Sequence, residues 1–488
     1  MTSNNALNPP AAPPDDRLGP EHRGPALLMA AGVLVGAVNI YLASSLLPTT
    51  VADIGGERLY AWGMTVYLVA MVVATMLVSR LLARRGAVRA YVAGFACFLA
   101  GSLVCAVSPS MPVLLTGRLV QGLGGGLLSG LGFAVIRAAL PRRLWTRGNA
   151  LMSAMYGVGN LAGPALGGLF AQSGSWRAAF VVMAVFAAVC AVAVLRVMPR
   201  LPHGGDPGRV PTGSLALLTA ATAAVSIAGV VRGPWARAAG VAGGLALLVL
   251  FVVHERRSPA RVFPALTYRS GSPLGPVYLT LALLSFGVAV EAFVPLFGQR
   301  LGGLEPLAAG FLGAALSLGW SSAQFGGASL ARRPEVVPRL LVAGPLLLGT
   351  GLAALALLQR ADAPLWLVAL WVPVLWAAGA GIGIAYPHLS VAAMASTDDP
   401  AEGARAAAGV ATVTSLATAF GTAVAGVLVA VGGPQPLGQA RGTLLGFAVI
   451  CAAGAVSARA AVARGRARAR SGGRAAAGAE DAQIADGA

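Results

Sequence analysis

Two ionisable side chains stand inside long apolar runs of this 488-residue chain, where they could do chemistry closed to a surface charge. Glu291 lies in LLSFGVAVEAFVPLF, residues 283–297, and Arg118 in LLTGRLVQGLGGG, residues 114–126. An ionised carboxylate is costly in hydrocarbon. Such an acid is therefore expected to face a cavity, where it can trade a proton for a cationic or polar substrate. The plainer alternative is an acid in the outer half of its span that merely reaches water. Asp53, just past the first apolar run, is a second candidate acid and reads first as an exposed loop residue. Arg118 has Gln121 one turn further along the same helix face. An arginine bonded only to backbone carbonyls is the structural alternative. Asn39, Ser44, Gln121, Asn160 and Gln324 could add polar contacts to a cavity, with Trp320 or Tyr41 as aromatic walls, while His388 reads as a packed or hydrogen-bonded histidine.

Other chemistries find little support. Cys97, Cys105, Cys190 and Cys451 all fall in apolar runs without CxxC spacing, so they read as small packing residues, and neither a disulfide nor a metal site follows. Loops this short and poor in clustered His, Asp or Ser argue against a membrane enzyme acting on lipid-linked substrates. The net charge of +18 is spread over thin loops, without a domain that could organise a groove, so nucleic acid is not an expected partner. The tail ARGRARAR, residues 463–470, could touch anionic lipid, or simply flank the last span.

The elements that must position Glu291 and Arg118 are membrane helices. Hydrophobic residues make up 57% of the chain and charged ones 11%, with a mean hydropathy of +0.76, outside the range of soluble domains. The apolar runs lack the alternation of barrel strands, which leaves helices. Runs long enough to span the bilayer are expected near 26–47, 59–79, 90–108, 112–139, 149–172, 176–198, 213–231, 235–253, 273–297, 306–329, 336–358, 364–390, 403–431 and 442–463. That makes fourteen spans, or twelve if the Ala/Gly-rich pair around 213–253 is not membrane-spanning. With a cytoplasmic N-terminus, 27 of the 35 arginines fall inside and seven outside, which places both termini in the cytoplasm. The ends, 1–25 and 464–488, read as disordered tails.

The stretch GVGNLAGPALGGLF, residues 157–170, carries glycines and a proline where a soluble helix would avoid them. On a helix Gly159, Gly163 and Gly167 form one bare stripe that lets a neighbouring helix approach closely, and Pro164 permits a local kink. Elsewhere LLARRGAVRAYVAG, residues 81–94, is echoed by SLARRPEVVPRLLVAG, residues 329–344. That register would make 26–198 and 273–463 equivalent six-helix bundles, with 199–272 a central linker carrying two additional helices. An Arg-rich match could also arise from the positive-inside rule alone.

Together these features resemble the major facilitator superfamily. The Arg-x-x-Gln-Gly of LLTGRLVQGLGGG is similar to its fourth-helix motif. GNLAGPALGG, residues 159–168, is similar to its fifth-helix antiporter motif, and LASSLLPTTVADIGG, residues 42–56, resembles the first-helix end of the fourteen-helix drug:proton antiporter branch. The resemblance implies an all-α integral membrane protein, two six-helix bundles plus two inserted helices. It implies that Arg118 pairs with acids or polar groups and tunes proton transfer. It implies further that the stripe with Pro164 and Gly168 packs against the other half and shapes rocking, joined in gating by Arg84 and Gly86 of the loop after span two. That loop departs from the family pattern at Ser79, Ala83 and Ala87, so the usual charge latch is in doubt. Asn39 stands where the branch usually has a membrane Asp and cannot carry a proton near neutral pH.

The reading is therefore a monomeric, proton-coupled exporter of amphipathic small molecules in a bacterial inner membrane, with the lipid bilayer and protons as partners and no cofactor. No P-loop is present, so transport would be secondary. An importer or uniporter for a metabolite is the alternative, favoured by Asn39.

Overall fold

A computed structural model describes residues 20–140, 145–199, 211–329, 335–397 and 400–486. Fifteen helices account for nearly all of them: α1 (Pro20–Ile54), α2 (Tyr60–Ala106), α3 (Met111–Ala134), the single turn α4 (Ile136–Ala139), α5 (Trp145–Gln172), α6 (Trp176–Val197), α7 (Thr212–Val230), α8 (Pro234–Arg257), α9 (Leu274–Val288), α10 (Val294–Gly302), α11 (Pro306–Ser329), α12 (Val337–Leu358), α13 (Leu365–Met394), α14 (Pro400–Val431) and α15 (Pro436–Asp486). Helix α2 is two passes joined at Gly86, whose φ of 72° and ψ of 170° break the helix in a conformation that disfavours any side chain. With α9 and α10 as one interrupted pass, the described residues cross fourteen times.

Ten helical segments among the described residues are apolar and long enough to span a bilayer, Glu57–Ala106 holding two passes. The remaining passes are α3, α5 and α11, whose glycines and polar residues lower their mean hydropathy.

Two packing schemes repeat. In the first half α3 is held between the two passes of α2: a Cβ on Gly122 would strike Tyr67 of the first pass, and one on Gly124 would strike Phe98 of the second. In the second half α13 is held likewise between α11 and α12, where Gly379 meets Leu316 and Gly381 meets Gly344. The spacing Gly122-x-Gly124-x-Gly126 thus recurs as Gly379-x-Gly381-x-Gly383, backbone against backbone in both places. Helix α1 packs on α5 as α9 packs on α14. The echo around Arg332 lies outside the described residues.

Across the halves, α5 meets α11 and α2 meets α14. Near the face remote from the termini, Tyr60 donates to the Ala292 carbonyl at 3.0 Å, Arg300 pairs with Glu57, and Gln172 donates to Glu305. Nearer the termini the halves separate, and Tyr156, Gly157 and Gln324 are exposed. Among the described residues, the halves are therefore in contact on the face remote from the termini and apart toward the face that carries them.

One expectation fails. The tail 464–488 is not a disordered coil over its described residues, because α15 continues to Asp486. Alanines and arginines, good helix formers, carry the helix past the apolar run. Residues 1–19 of the other expected tail lie outside the described residues, and α1 already begins at Pro20.

Candidate functional site

The acid at 291 owes its position to a proline four residues on. Pro295 has no N–H to give the Glu291 carbonyl, and its ring crowds that carbonyl, so the helix cannot continue. The chain instead forms a 3-10 turn at Ala289–Ala292 before α10 resumes. The turn delivers Glu291 to the boundary between halves, 7% exposed, with Oε1 lacking a hydrogen-bond partner. Ser317 of α11 stands beside the carboxylate, and its hydroxyl meets Tyr41 Oη of α1 at 3.3 Å. No arginine pairs with Glu291 among the described ion pairs.

Arg118 is 1% exposed in the interior of the first half. Its Nε donates to the Gly63 carbonyl at 3.0 Å, a terminal nitrogen donates to Gln121 Oε1 at 2.7 Å, and the guanidinium lies 4.2 Å from the centre of the Tyr67 ring. Gln121 in turn donates to Ser102 Oγ at 2.8 Å and accepts from Asn39 Nδ2 at 3.3 Å. The cation is thus solvated by carbonyl oxygens and a π face, without a described carboxylate beside it. Asn39 and Gln121 are fully buried in this cluster and line no cavity, contrary to the sequence expectation; a buried guanidinium demands acceptors, and Gln121 Oε1 supplies one, to which Asn39 Nδ2 also donates. Ser44 is 7% exposed, and its hydroxyl donates to the Tyr41 carbonyl of its own helix at 2.8 Å.

The residues that do gather around the open space are Tyr41, Asn160, Trp320 and Gln324, joined by Tyr156 and Tyr386, with Ser317 fully buried behind Tyr41. Asn160 Nδ2 reaches Ser321 Oγ at 3.5 Å across the halves while its Oδ1 is unpartnered. Trp320 and Tyr386 have ring centres 5.4 Å apart, and the indole N–H of Trp320 is unpartnered. Gln324 is exposed. The wall is aromatic, the kind of surface that holds an apolar body, while the unpartnered Asn160 Oδ1, Trp320 Nε1 and Glu291 Oε1 are themselves buried. His388 is buried and partnered.

The glycine stripe corrects a second expectation. It faces α1 of its own half, not the other half: a Cβ on Gly163 would stand 2.5 Å from Tyr41 Cβ, one on Gly159 2.6 Å from Ala37, and one on Gly167 2.6 Å from the Leu42 carbonyl. The contacts of the motif with the other half are made beside the stripe, by Asn160 on Ser321, by the Pro164 carbonyl on Gly310 of α11, and by Gly168 on Leu307. Asp53 is no free acid, since Arg177 holds it at 2.6 Å and the Trp176 indole donates to it at 3.0 Å. Arg84 is exposed and Gly86 is the turn of α2.

Sequence reasoning missed Glu255, at the end of α8. Its carboxylate, fully buried, accepts from Ser214 Oγ at 2.5 Å, the Val262 N–H at 3.0 Å, the Phe263 N–H at 3.1 Å and Tyr268 Oη at 3.2 Å. It ties α7, α8 and the following loop into one unit. Within the charged run His254–Arg257 no signal separates it from a solvated flank.

A family model for the Major Facilitator Superfamily matches residues 29–408. A Mycobacterium tuberculosis protein named "Probable multidrug-efflux transporter" is 47% identical over 442 residues, 89% of this chain and 93% of its own. Among solved structures, a peptide transporter POT in complex with sulfate matches with a TM-score of 0.65 at 16% identity, over 90% of this chain and 93% of its own. An inward-facing bacterial homologue of the human lysosomal transporter Spinster matches with a TM-score of 0.63 at 14% identity, over 91% and 98%. At those identities the two structures speak for the fold alone.

Proposed function

The chain belongs to the Major Facilitator Superfamily, and from that premise we propose that this membrane transporter exports amphipathic small molecules in exchange for protons, by alternating access between its two halves. The name of the mycobacterial relative supports the direction and the substrate class. The observation that carries the coupling is Glu291, a buried carboxylate with a spare oxygen at a helix break, beside Ser317, whose hydroxyl meets Tyr41 of the other half.

In this reading the face carrying the termini is cytoplasmic, which the arginine distribution supports, and the protein is open to that side of a bacterial inner membrane. Substrate enters between the halves. Release of the Glu291 proton inward leaves a carboxylate that favours a cationic or polar substrate; a proton taken from outside displaces it and neutralises the acid for the return. Segments 26–198 and 273–463 are the moving bundles, and a single copy suffices, since every group named lies within one chain. Proton-independent exchange is the second reading, favoured by Asn39, which serves the Arg118 cluster where an acid might have stood.

The test is dye export by everted membrane vesicles with and without a pH gradient, for the parent and Glu291→Gln. The amide keeps shape and hydrogen-bonding capacity but cannot ionise. Gradient-driven accumulation should vanish while downhill exchange survives. Undiminished uphill transport by the variant would remove Glu291 from the mechanism.

A further inference from the structure

The two seams between halves are equivalent in the packing repeat but not in their surroundings. Helix α7 lies along the α2–α14 seam. Trp62 of α2 donates from Nε1 to the Ser226 carbonyl of α7 at 3.1 Å, Val225 and Ala228 pack with Ala423 and Val427 of α14, and a Cβ on Gly229 would stand 3.0 Å from the Gly426 backbone. Helix α14 accordingly shows no exposed large apolar side chain from Val410 to Ala430.

At the α5–α11 seam, Leu161 is 56% and Leu169 53% exposed on α5, and Phe311 and Leu318 are each 38% exposed on α11. This seam also splits. Gly168 packs on Leu307, and Asn160 still reaches Ser321. Gly157 lies about three turns before Gly168 on the same helix face, yet a Cβ there would meet nothing within 4 Å. Tyr156 and Gln324 frame the gap and are exposed, with Trp320 and Tyr386 behind them.

We propose that the gap beside Gly157 is a lateral portal through which amphipathic molecules dissolved in the adjoining leaflet reach the cavity, and that the α7–α8 hairpin roofs the equivalent gap between α2 and α14. The portal suits such molecules because its rim is apolar toward lipid and offers Tyr156 and Gln324 to a polar end as it leaves the headgroups. An aqueous substrate would need no opening to the side. The proposal rests on the export reading for its substrate but not for its geometry.

The experiment uses the full chain with its four cysteines changed to alanine and one cysteine returned, by Gly157→Cys or at the matching position by Ser415→Cys. Each is labelled with bimane and reconstituted in phosphatidylcholine vesicles containing doxyl-labelled lipid. The label at 157 should be strongly quenched and that at 415 largely spared; equal quenching, or the reverse, overturns the one-sided portal. In everted vesicles, Gly157→Trp should slow export of a membrane-dissolved bis-benzimide dye several-fold at an unchanged melting temperature. Export at the parent rate refutes the portal as a route. A parent that moves no dye refutes the export reading instead, and the quenching still decides whether the gap opens to lipid.

Discussion

The hydroxyl of Tyr41 meets that of Ser317 at 3.3 Å across the boundary between the two halves, beside the carboxylate of Glu291. One helix of each half thus shares a short polar contact at the group proposed to carry the proton. In the proposed exchange, rocking apart would break this contact and so join the position of the halves to the surroundings of the acid.

Tyr41→Phe removes that hydroxyl and keeps the ring. Either hydroxyl can donate in that contact, and its loss removes a polar neighbour from beside the carboxylate, weakening support for the charged form by a net ~1 kcal/mol. The pH profile of gradient-driven export should then move to higher pH, with binding of dye little changed. An unmoved profile separates Tyr41 from coupling.

Gly163 and Gly168 belong to one sequence motif but should fail differently. Gly163→Leu drives a side chain into Tyr41 and Val38 of its own bundle, an overpacking that costs about 1–3 kcal/mol and lowers the melting temperature in detergent. Gly168→Leu meets Leu307 of the other half. It should leave the bundles intact but prevent closure of the remote face, so a cysteine replacing Gln299 in the cleft of about 390 Å³ there gains reactivity toward an impermeant thiol reagent. Equal losses of melting temperature in the two variants would contradict the assignment of their partners.

Much of this architecture could be read in advance, and the failures have common causes. Hydropathy located the passes because bilayer thickness dictates their length, and the isolated acid at 291 marked itself by its cost in hydrocarbon. The stripe gave its own face but not its partner, because small residues permit close approach by any helix and only topology selects α1. Asn39 and Gln121 looked like cavity residues because polarity within a span does not say whether a side chain serves a substrate or another side chain. Glu255 was hidden among charged neighbours, since burial of an acid at a helix end depends on donors from α7 and a later loop.

Arg118 offers a test of that last distinction. With no described carboxylate beside it, its charge is held by oriented dipoles and a ring, and lysine lacks the fork that reaches Gly63 and Gln121 together. Arg118→Met should therefore melt above Arg118→Lys and be the more stable of the two by roughly 1.5–3 kcal/mol if one charge-assisted hydrogen bond separates them. The opposite order would show that the charge itself is stabilising.

Cysteines replacing Ser110 or Gln172 should react with an impermeant thiol reagent applied to intact cells, whereas one replacing Thr146, in a segment with Arg142, Arg143 and Arg147, should not. Labelling at 146 alone would invert the orientation proposed here.

The hairpin α7–α8 also has a parity. Two passes return the chain to the face it left, so the second half enters the bilayer in the sense it would have had if joined directly to the first. A single inserted pass would have turned that half inside out, setting the Glu291 turn toward the wrong compartment and bringing like ends of the halves to opposite faces. The Glu255 clamp, by drawing the start of α7 and the end of α8 to one point, allows the pair to be added as a closed excursion from the connecting loop. Growth of this fold at its middle is thereby restricted to even numbers.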